Sequence, residues 1–140
     1  MYIIAIVQAR MGSTRLPNKV MQSVSANIPM IEVLFSRLKQ SKEINKIVLA
    51  TSTDPRNLPL VNHIISLGFE VFQGSENNIL DRYYQAGLKY NPDAIVRITG
   101  DCPLVDPDIV DIVINRYKSS ETDYMCNTNP PTYPDGLDVE

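Results

Sequence analysis

Apolar positions along the chain fall into two alternating kinds of segment. Continuous or period-2 apolar runs, the mark of strands, take turns with stripes at helical spacing. Tyr2–Val7 predicts the first strand. Met30, Ile31, Val33, Leu34 and Leu38 predict a helix over roughly 29–41. Lys46–Thr51 predicts the second strand. Asp54 followed by Pro55 reads as a helix cap with proline in the first turn. Leu60, Val61, Ile64, Ile65 and Leu67 carry that helix to Gly68, which suits the residue just past a helix end.

Glu70–Phe72 predicts a short third strand. Asn77–Tyr90 predicts a helix that turns Ile79, Leu80, Tyr83, Tyr84 and Leu88 inward. Ala94–Thr99 predicts the fourth strand, and Asp106-Pro107 repeats the cap-then-proline signal before a helix to about Lys118. Asp123–Cys126 reads as a fifth strand and Gly136–Glu140 as the start of a sixth. The proline-rich Asn127–Gly136 between them reads as a loop over the sheet edge. Strand–helix alternation of this kind predicts one α/β domain over 1–140, a mainly parallel sheet with helices on both faces. Ligands in such sheets bind at the carboxyl ends of the strands. The loops after the first, second and fourth strands lie on that edge.

The loop after the first strand holds the densest chemistry. Between Gln8 and Lys19 stand three cations (Arg10, Arg15, Lys19), two hydroxyls (Ser13, Thr14) and Gly12, directly after Ala9. Hydroxyls and backbone N–H groups donate to phosphate oxygens, and guanidinium forks grip oxyanions bidentately. The order is neither a Walker loop nor a dinucleotide fingerprint. The loop after the fourth strand supplies the opposite charge. Thr99-Gly100-Asp101 sets a carboxylate at the end of a buried strand, separated from the next helix by Cys102-Pro103-Leu104. Asp106 reads as that helix's cap, whereas Asp101 is placed to hold a divalent cation. Mg²⁺ favours one or two carboxylates together with phosphate oxygens and water. A phosphate cradle and a metal-competent carboxylate on one sheet edge point to nucleotide chemistry.

Composition narrows the partners. A net charge of −3 over 140 residues makes the basic loop a local feature, suited to a small anion and not to a nucleic acid bound by bulk charge. No window has the apolar length of a membrane span. Two cysteines, Cys102 and Cys126, and a start that goes straight into a strand predict a cytoplasmic protein with free thiols. His63, the only histidine, lies in an apolar helical pattern and reads as a packing or surface residue.

Three motifs in order carry a resemblance over the whole chain: Arg10-Met11-Gly12-Ser13-Thr14-Arg15-Leu16-Pro17-x-Lys19, Asp81-Arg82-Tyr83, and Thr99-Gly100-Asp101-Cys102-Pro103-Leu104. Together they resemble the cytidylyltransferases that activate acidic sugars, the CMP-sialate and CMP-KDO synthetases, and most closely their spore-coat polysaccharide branch. The resemblance implies a three-layer, Rossmann-like nucleotidyltransferase fold of GT-A type. It implies Mg²⁺-dependent transfer of CMP from CTP to an acidic sugar of 3-deoxy or nonulosonic type, with release of pyrophosphate.

By the same resemblance, Arg10, Ser13, Thr14, Arg15 and Lys19 correspond to the triphosphate loop, and Asp101 to the metal-binding aspartate. Arg15, Lys19 and Asp101 would then do most for the reaction. Arg82 falls where the family brings a polar residue towards the nucleotide, although Asp81 and Arg82 read equally well as a surface pair at a helix start. Ala50, Thr51 and Ser52 could line the base pocket through their backbone, or form an ordinary turn. Family members are longer than this chain, so a truncated domain is expected, with the acceptor pocket, much of a homodimer contact and a second metal carboxylate beyond Glu140. Turnover by 140 residues is then in doubt, while the CTP half of the site stays intact. Two other classes compete. A GT-A glycosyltransferase would carry an Asp-x-Asp metal motif, which Asp106-Pro107-Asp108 matches only in spacing. A nucleotide-binding domain without catalysis would bind CTP and not turn it over.

Overall fold

The computed structural model describes residues 1–140. Four strands form one parallel sheet: β1 (Ile3–Gln8), β4 (Lys46–Ser52), β5 (Glu70–Gly74) and β6 (Ala94–Thr99). Their spatial order is β5-β4-β1-β6. The chain sweeps outward from β1 through β4 to β5, then crosses back to lay β6 on the other side of β1. Val7 pairs with Leu49 on one flank and with Ile98 on the other. The strand order therefore reverses at β1, and the crevice between the carboxyl ends of β1 and β6 is where such sheets bind ligands.

Both faces of the sheet are covered. On one face Ile3, Ala5 and Val7 join a cluster with α1 (Met30–Leu38), α2 (Leu58–Ser66) and α4 (Pro107–Lys118). Phe35 of α1 meets Phe69 edge-on at 4.9 Å within that layer. Ile4 and Ile6, pointing the other way by strand alternation, pack with Ala50 beneath α3 (Ile79–Tyr90). No helix is long and apolar enough to cross a membrane.

The cap signals act as the sequence predicts, with one refinement. Asp54 caps a short 3₁₀ turn, Pro55–Asn57, by accepting from Arg56 N at 2.9 Å. The α-helix proper starts only at Leu58, with Pro59 in its first turn. Asp106 accepts from Asp108 N (2.9 Å) and Ile109 N at the head of α4. Gly68 follows α2 with φ 84°, the left-handed geometry that glycine tolerates best.

Three expectations are corrected. The inner face of α3 is Arg82 and Ala86, with Tyr83 packed beside them as expected, while Ile79, Leu80, Tyr84 and Leu88 face outward, from 44 to 80% exposed. Small residues let the helix come close: a Cβ on Gly87 would stand 3.2 Å from Ile95 Cδ1. Residues 123–126 form no strand, nor do 136–140. A strand exists only through its ladder, and here the tail makes one backbone bond to β6, Arg97 N to Glu140 O at 2.7 Å. Asn127 takes over instead, accepting from Val139 N (2.9 Å) and donating to Leu137 O (2.8 Å). An element outside every expectation, a small hairpin of β2 (Ser23–Ser25) and β3 (Ile28–Pro29), precedes α1, turning through Ala26 and Asn27 at positive φ.

The end of β6 is pressed against the end of β1. Gly100 N donates to Gln8 O at 2.8 Å. A Cβ on Gly100 would lie 2.5 Å from Gln8 O and 2.6 Å from Ala9 Cβ, whereas one on Gly12 would meet nothing within 4 Å. Gly100→Ala should therefore cost about 1–3 kcal/mol through forced backbone movement, and Gly12→Ala under about 0.5 kcal/mol. Urea unfolding of both variants checks this. Equal stability of the two would show that the β1–β6 junction has slack.

Candidate functional site

The loop after β1 is built around the peptide of Met11. Ala9 N still donates to Ala50 O (3.3 Å), so the chain leaves the sheet only after Ala9. The Met11 side chain is buried, and its carbonyl accepts from both Ser13 N (2.9 Å) and Asn18 N (3.2 Å). The stretch 12–18 thus closes on itself. Asn18, at φ 57°, turns the chain into a 3₁₀ turn over Lys19–Met21 that is anchored by buried Val20. Ser13 Oγ accepts from Leu16 N at 3.3 Å inside this turn. Thr14 and Arg15 stand out into solvent.

The three loop cations are treated differently. Lys19 Nζ crosses the β1–β6 crevice to Asp101 Oδ2 at 2.9 Å. Arg10 Nη1 meets Glu76 Oε1 at 3.0 Å, from the loop after β5. Arg15 makes no ion pair. The hydrogen bond from Lys19 holds the Asp101 carboxyl below the usual aspartate range, against the opposing effect of its partial burial. Asp101 is therefore an ionised, accessible oxygen donor beside the cationic loop. Exposed pairs of this kind are worth about 0–1 kcal/mol, so an incoming phosphate can displace either carboxylate at small cost.

The remaining expected residues sit deeper. Thr51 and Ser52 are fully buried at the end of β4. Thr99 Oγ1 lies 3.2 Å from Cys102 Sγ, and burial raises that thiol's pKa. Both cysteines are free. Arg82 is not a surface residue. It is completely buried, with Nε and Nη2 donating to Ser75 O (3.1 and 2.8 Å) and Nη2 also to Glu76 O (3.3 Å). Its guanidinium braces the loop that carries Glu76. His63 Nε2, on α2, lies 3.0 Å from Glu32 Oε2 of α1, and makes no contact with the loop after β1 or with Asp101. Two residues that sequence reasoning passed over belong here: Glu76, and Asn57, whose buried side chain accepts from Met11 N at 2.8 Å.

Asp101 has the right chemistry for a hard divalent cation shared with phosphate oxygens. No group of three or more His, Cys, Asp or Glu side chains is gathered to hold a metal by protein ligands alone. The fit is to an ion carried in with a polyphosphate. Asp106 is committed to capping α4, which leaves the Asp-x-Asp spacing without a free pair. A cavity of about 350 Å³ lies elsewhere, along the open edge of β6. Its charged lining residues are Asp93, Asp123 and Glu140, with no cation, which makes it unsuited to an anion.

A family profile described as cytidylyltransferase matches residues 4–134. The spore coat polysaccharide biosynthesis protein SpsF of Bacillus subtilis is 40% identical over 133 residues, 92% of this chain and 55% of that protein. A 3-deoxy-manno-octulosonate cytidylyltransferase of Rhizobium etli is 31% identical, over 86% of this chain and 48% of that protein. The structure of a cytidylyltransferase from Leptospira borgpetersenii superposes with a TM-score of 0.92 at 33% identity, covering 99% of this chain and 59% of that one. The chain spans about half the length of the curated relatives it matches. With the family profile running from β1 past the end of α4, and so across both loops of the crevice, the chain belongs to the cytidylyltransferase family.

Proposed function

We propose that this chain is the CTP-binding part of a cytoplasmic enzyme that transfers CMP from CTP to an acidic sugar and releases pyrophosphate. The observation that carries the reading is the meeting, across the β1–β6 crevice, of a cationic loop and an ionised carboxylate, Lys19 Nζ to Asp101 Oδ2 at 2.9 Å. Membership of the family supports the cytidylyl group. The acidic-sugar class follows the names of relatives, one of which acts on 3-deoxy-manno-octulosonate. Surface or spore-coat polysaccharide is the pathway class suggested by the Bacillus subtilis relative.

In this reading the loop does the holding. Arg10, Arg15 and Lys19 take the β- and γ-phosphates, with Ser13, Thr14 and free loop N–H groups donating to the remaining oxygens. Gly12, whose Cβ side faces open space, leaves room for the triphosphate beside the backbone. Asp101 would hold Mg²⁺, which neutralises phosphate charge and orients the phosphates when bound. Thr51 and Ser52, fully buried, and Gly100 support the cradle from beneath without touching the nucleotide, and Arg82 keeps the loop of Glu76 in place. A sugar hydroxyl oxygen forms a new bond to the α-phosphorus as the bond to the β-phosphate oxygen breaks. Pyrophosphate leaves with the electron pair and the hydroxyl proton passes to water. Rate enhancement comes from positioning and charge stabilisation, with no covalent nucleophile from the protein.

Calorimetric titration with the four nucleoside triphosphates in Mg²⁺ tests the assignment. CTP should bind this chain most tightly, and in the whole enzyme pyrophosphate release should require a 3-deoxy or nonulosonic sugar acid. Equal binding of all four would remove the CTP assignment. Release supported only by neutral sugars would remove the acidic-sugar one.

Arg15, having no partner to lose, gives a clean contrast. Arg15→Ala should weaken CTP binding by about 1.5–3 kcal/mol, the worth of a charge-assisted contact, and leave cytidine binding unchanged. Equal losses for both would make Arg15 structural. Asp101→Asn keeps the shape and removes the charge. In that variant Mg²⁺ should no longer strengthen CTP binding, and persistence of the Mg²⁺ effect would exclude Asp101 as the ligand.

A further inference from the structure

Asn57 is 2% exposed and uses both ends of its amide. Oδ1 accepts from Met11 N at 2.8 Å, and Nδ2 donates to Ser52 Oγ at 2.7 Å. Neither bond belongs to helix capping. Asp54 caps this turn, and Asn57's own N–H already donates to Asp54 O at 2.9 Å. A buried amide is costly unless its groups are paired, and here the pairing reaches out of its own turn to two other elements.

Its target is the residue on which the loop closes. The Met11 carbonyl accepts from Ser13 N and Asn18 N, so Asn57 fixes the N–H of that residue while the turn 12–18 hangs from its C=O, one peptide unit on. Arg10 and Lys19 are located by carboxylates from other loops. Ser13, Thr14 and Arg15 have no such outside partner, and their arrangement rests on the Met11 backbone.

We infer that Asn57 is a positioning residue that sets the shape of the 12–18 turn and so preorganises it for a triphosphate. The inference rests on the reading of this loop as the triphosphate cradle. Ordering an exposed loop at the moment of binding costs affinity, and a loop ordered beforehand avoids that cost. The role needs an acceptor facing Met11 N. Aspartate would supply it, because the Ser52 hydroxyl can rotate to donate to a carboxylate. Leucine has similar size and supplies nothing.

The test compares Asn57→Leu and Asn57→Asp with the wild type, and Asn57→Ala serves as a second removal variant should the leucine form not fold. Amide hydrogen exchange is read in the free protein, and calorimetry is run with CTP in Mg²⁺ and with cytidine. In the leucine variant, exchange at Met11, Ser13 and Asn18 should speed up at least tenfold while Val7 and Leu49 in the sheet are unchanged. CTP affinity should fall at least tenfold, with cytidine binding within twofold. Asn57→Asp should restore both readouts to within threefold of wild type.

Unchanged loop exchange, or a loss spread equally over sheet amides and cytidine binding, would overturn the inference. So would a loss that aspartate does not restore. A wild-type chain that fails to bind CTP refutes the reading of the loop and this inference with it. A wild type that binds CTP, beside a leucine variant that binds it equally well, refutes only the role of Asn57.

Discussion

Parallel pairing of β1 with β4 on one flank and β6 on the other is the constraint from which the rest follows. Because all three strands run the same way, their carboxyl ends share one edge, and the loops leaving them must meet there. The junction is tightest where Gly100 backs onto Gln8 and Ala9, with no room for a side chain. Asp101 is the next residue, so its place opposite the cationic loop is set by the sheet register itself. The ion pair with Lys19 is a consequence of that register and not a clamp that holds the fold, since both side chains keep a third to a half of their surface in solvent.

The same edge carries a second layer of support. Arg82 spends its guanidinium on the carbonyls of Ser75 and Glu76, and Glu76 in turn meets Arg10. Asn57 holds Met11 from the side of β4. Each loop that follows a strand of this sheet therefore touches the β1 loop or contributes to its surroundings. Carboxylates occupy two of its three cations in the free protein. These contacts are individually weak, and they keep the loop's charge from self-repulsion without making it hard for a more highly charged anion to replace them.

The strands were legible because β1 and β4 are nearly continuous apolar runs, as strands buried on both faces must be, and β6, at the edge, alternates buried with more exposed positions. The caps at Asp54 and Asp106 were legible because their chemistry is local. The inner face of α3 was not. Ile79, Leu80, Tyr84 and Leu88 make a convincing apolar stripe, but periodicity reports which residues are apolar and not which face the fold covers. The space above Ile4, Ile6 and Ala50 takes Ala86, with Tyr83 alone of the expected stripe packed against it. The segment 123–126 reads as a strand by composition, yet ladder partners are a property of the whole fold. The hairpin at 23–29 is too short to show a pattern, and its turn depends on the positive φ of Ala26 and Asn27. At the site, charge and position at strand ends made Arg10, Arg15, Lys19 and Asp101 stand out. Asn57 and Glu76 act across 46 and 66 residues of sequence, and nothing in their neighbours announces it.

The central claim is that the crevice between β1 and β6 receives a cytidine triphosphate, phosphates towards the 10–19 loop. A crystal structure of this chain grown with CTP and Mg²⁺ tests it most directly. The account predicts phosphate oxygens against Arg15 and the loop amides, the Lys19–Asp101 pair opened, and Asp101 turned to the metal. Nucleotide bound elsewhere, such as in the acidic and apolar cavity along β6, with Lys19 and Asp101 still paired, would contradict it.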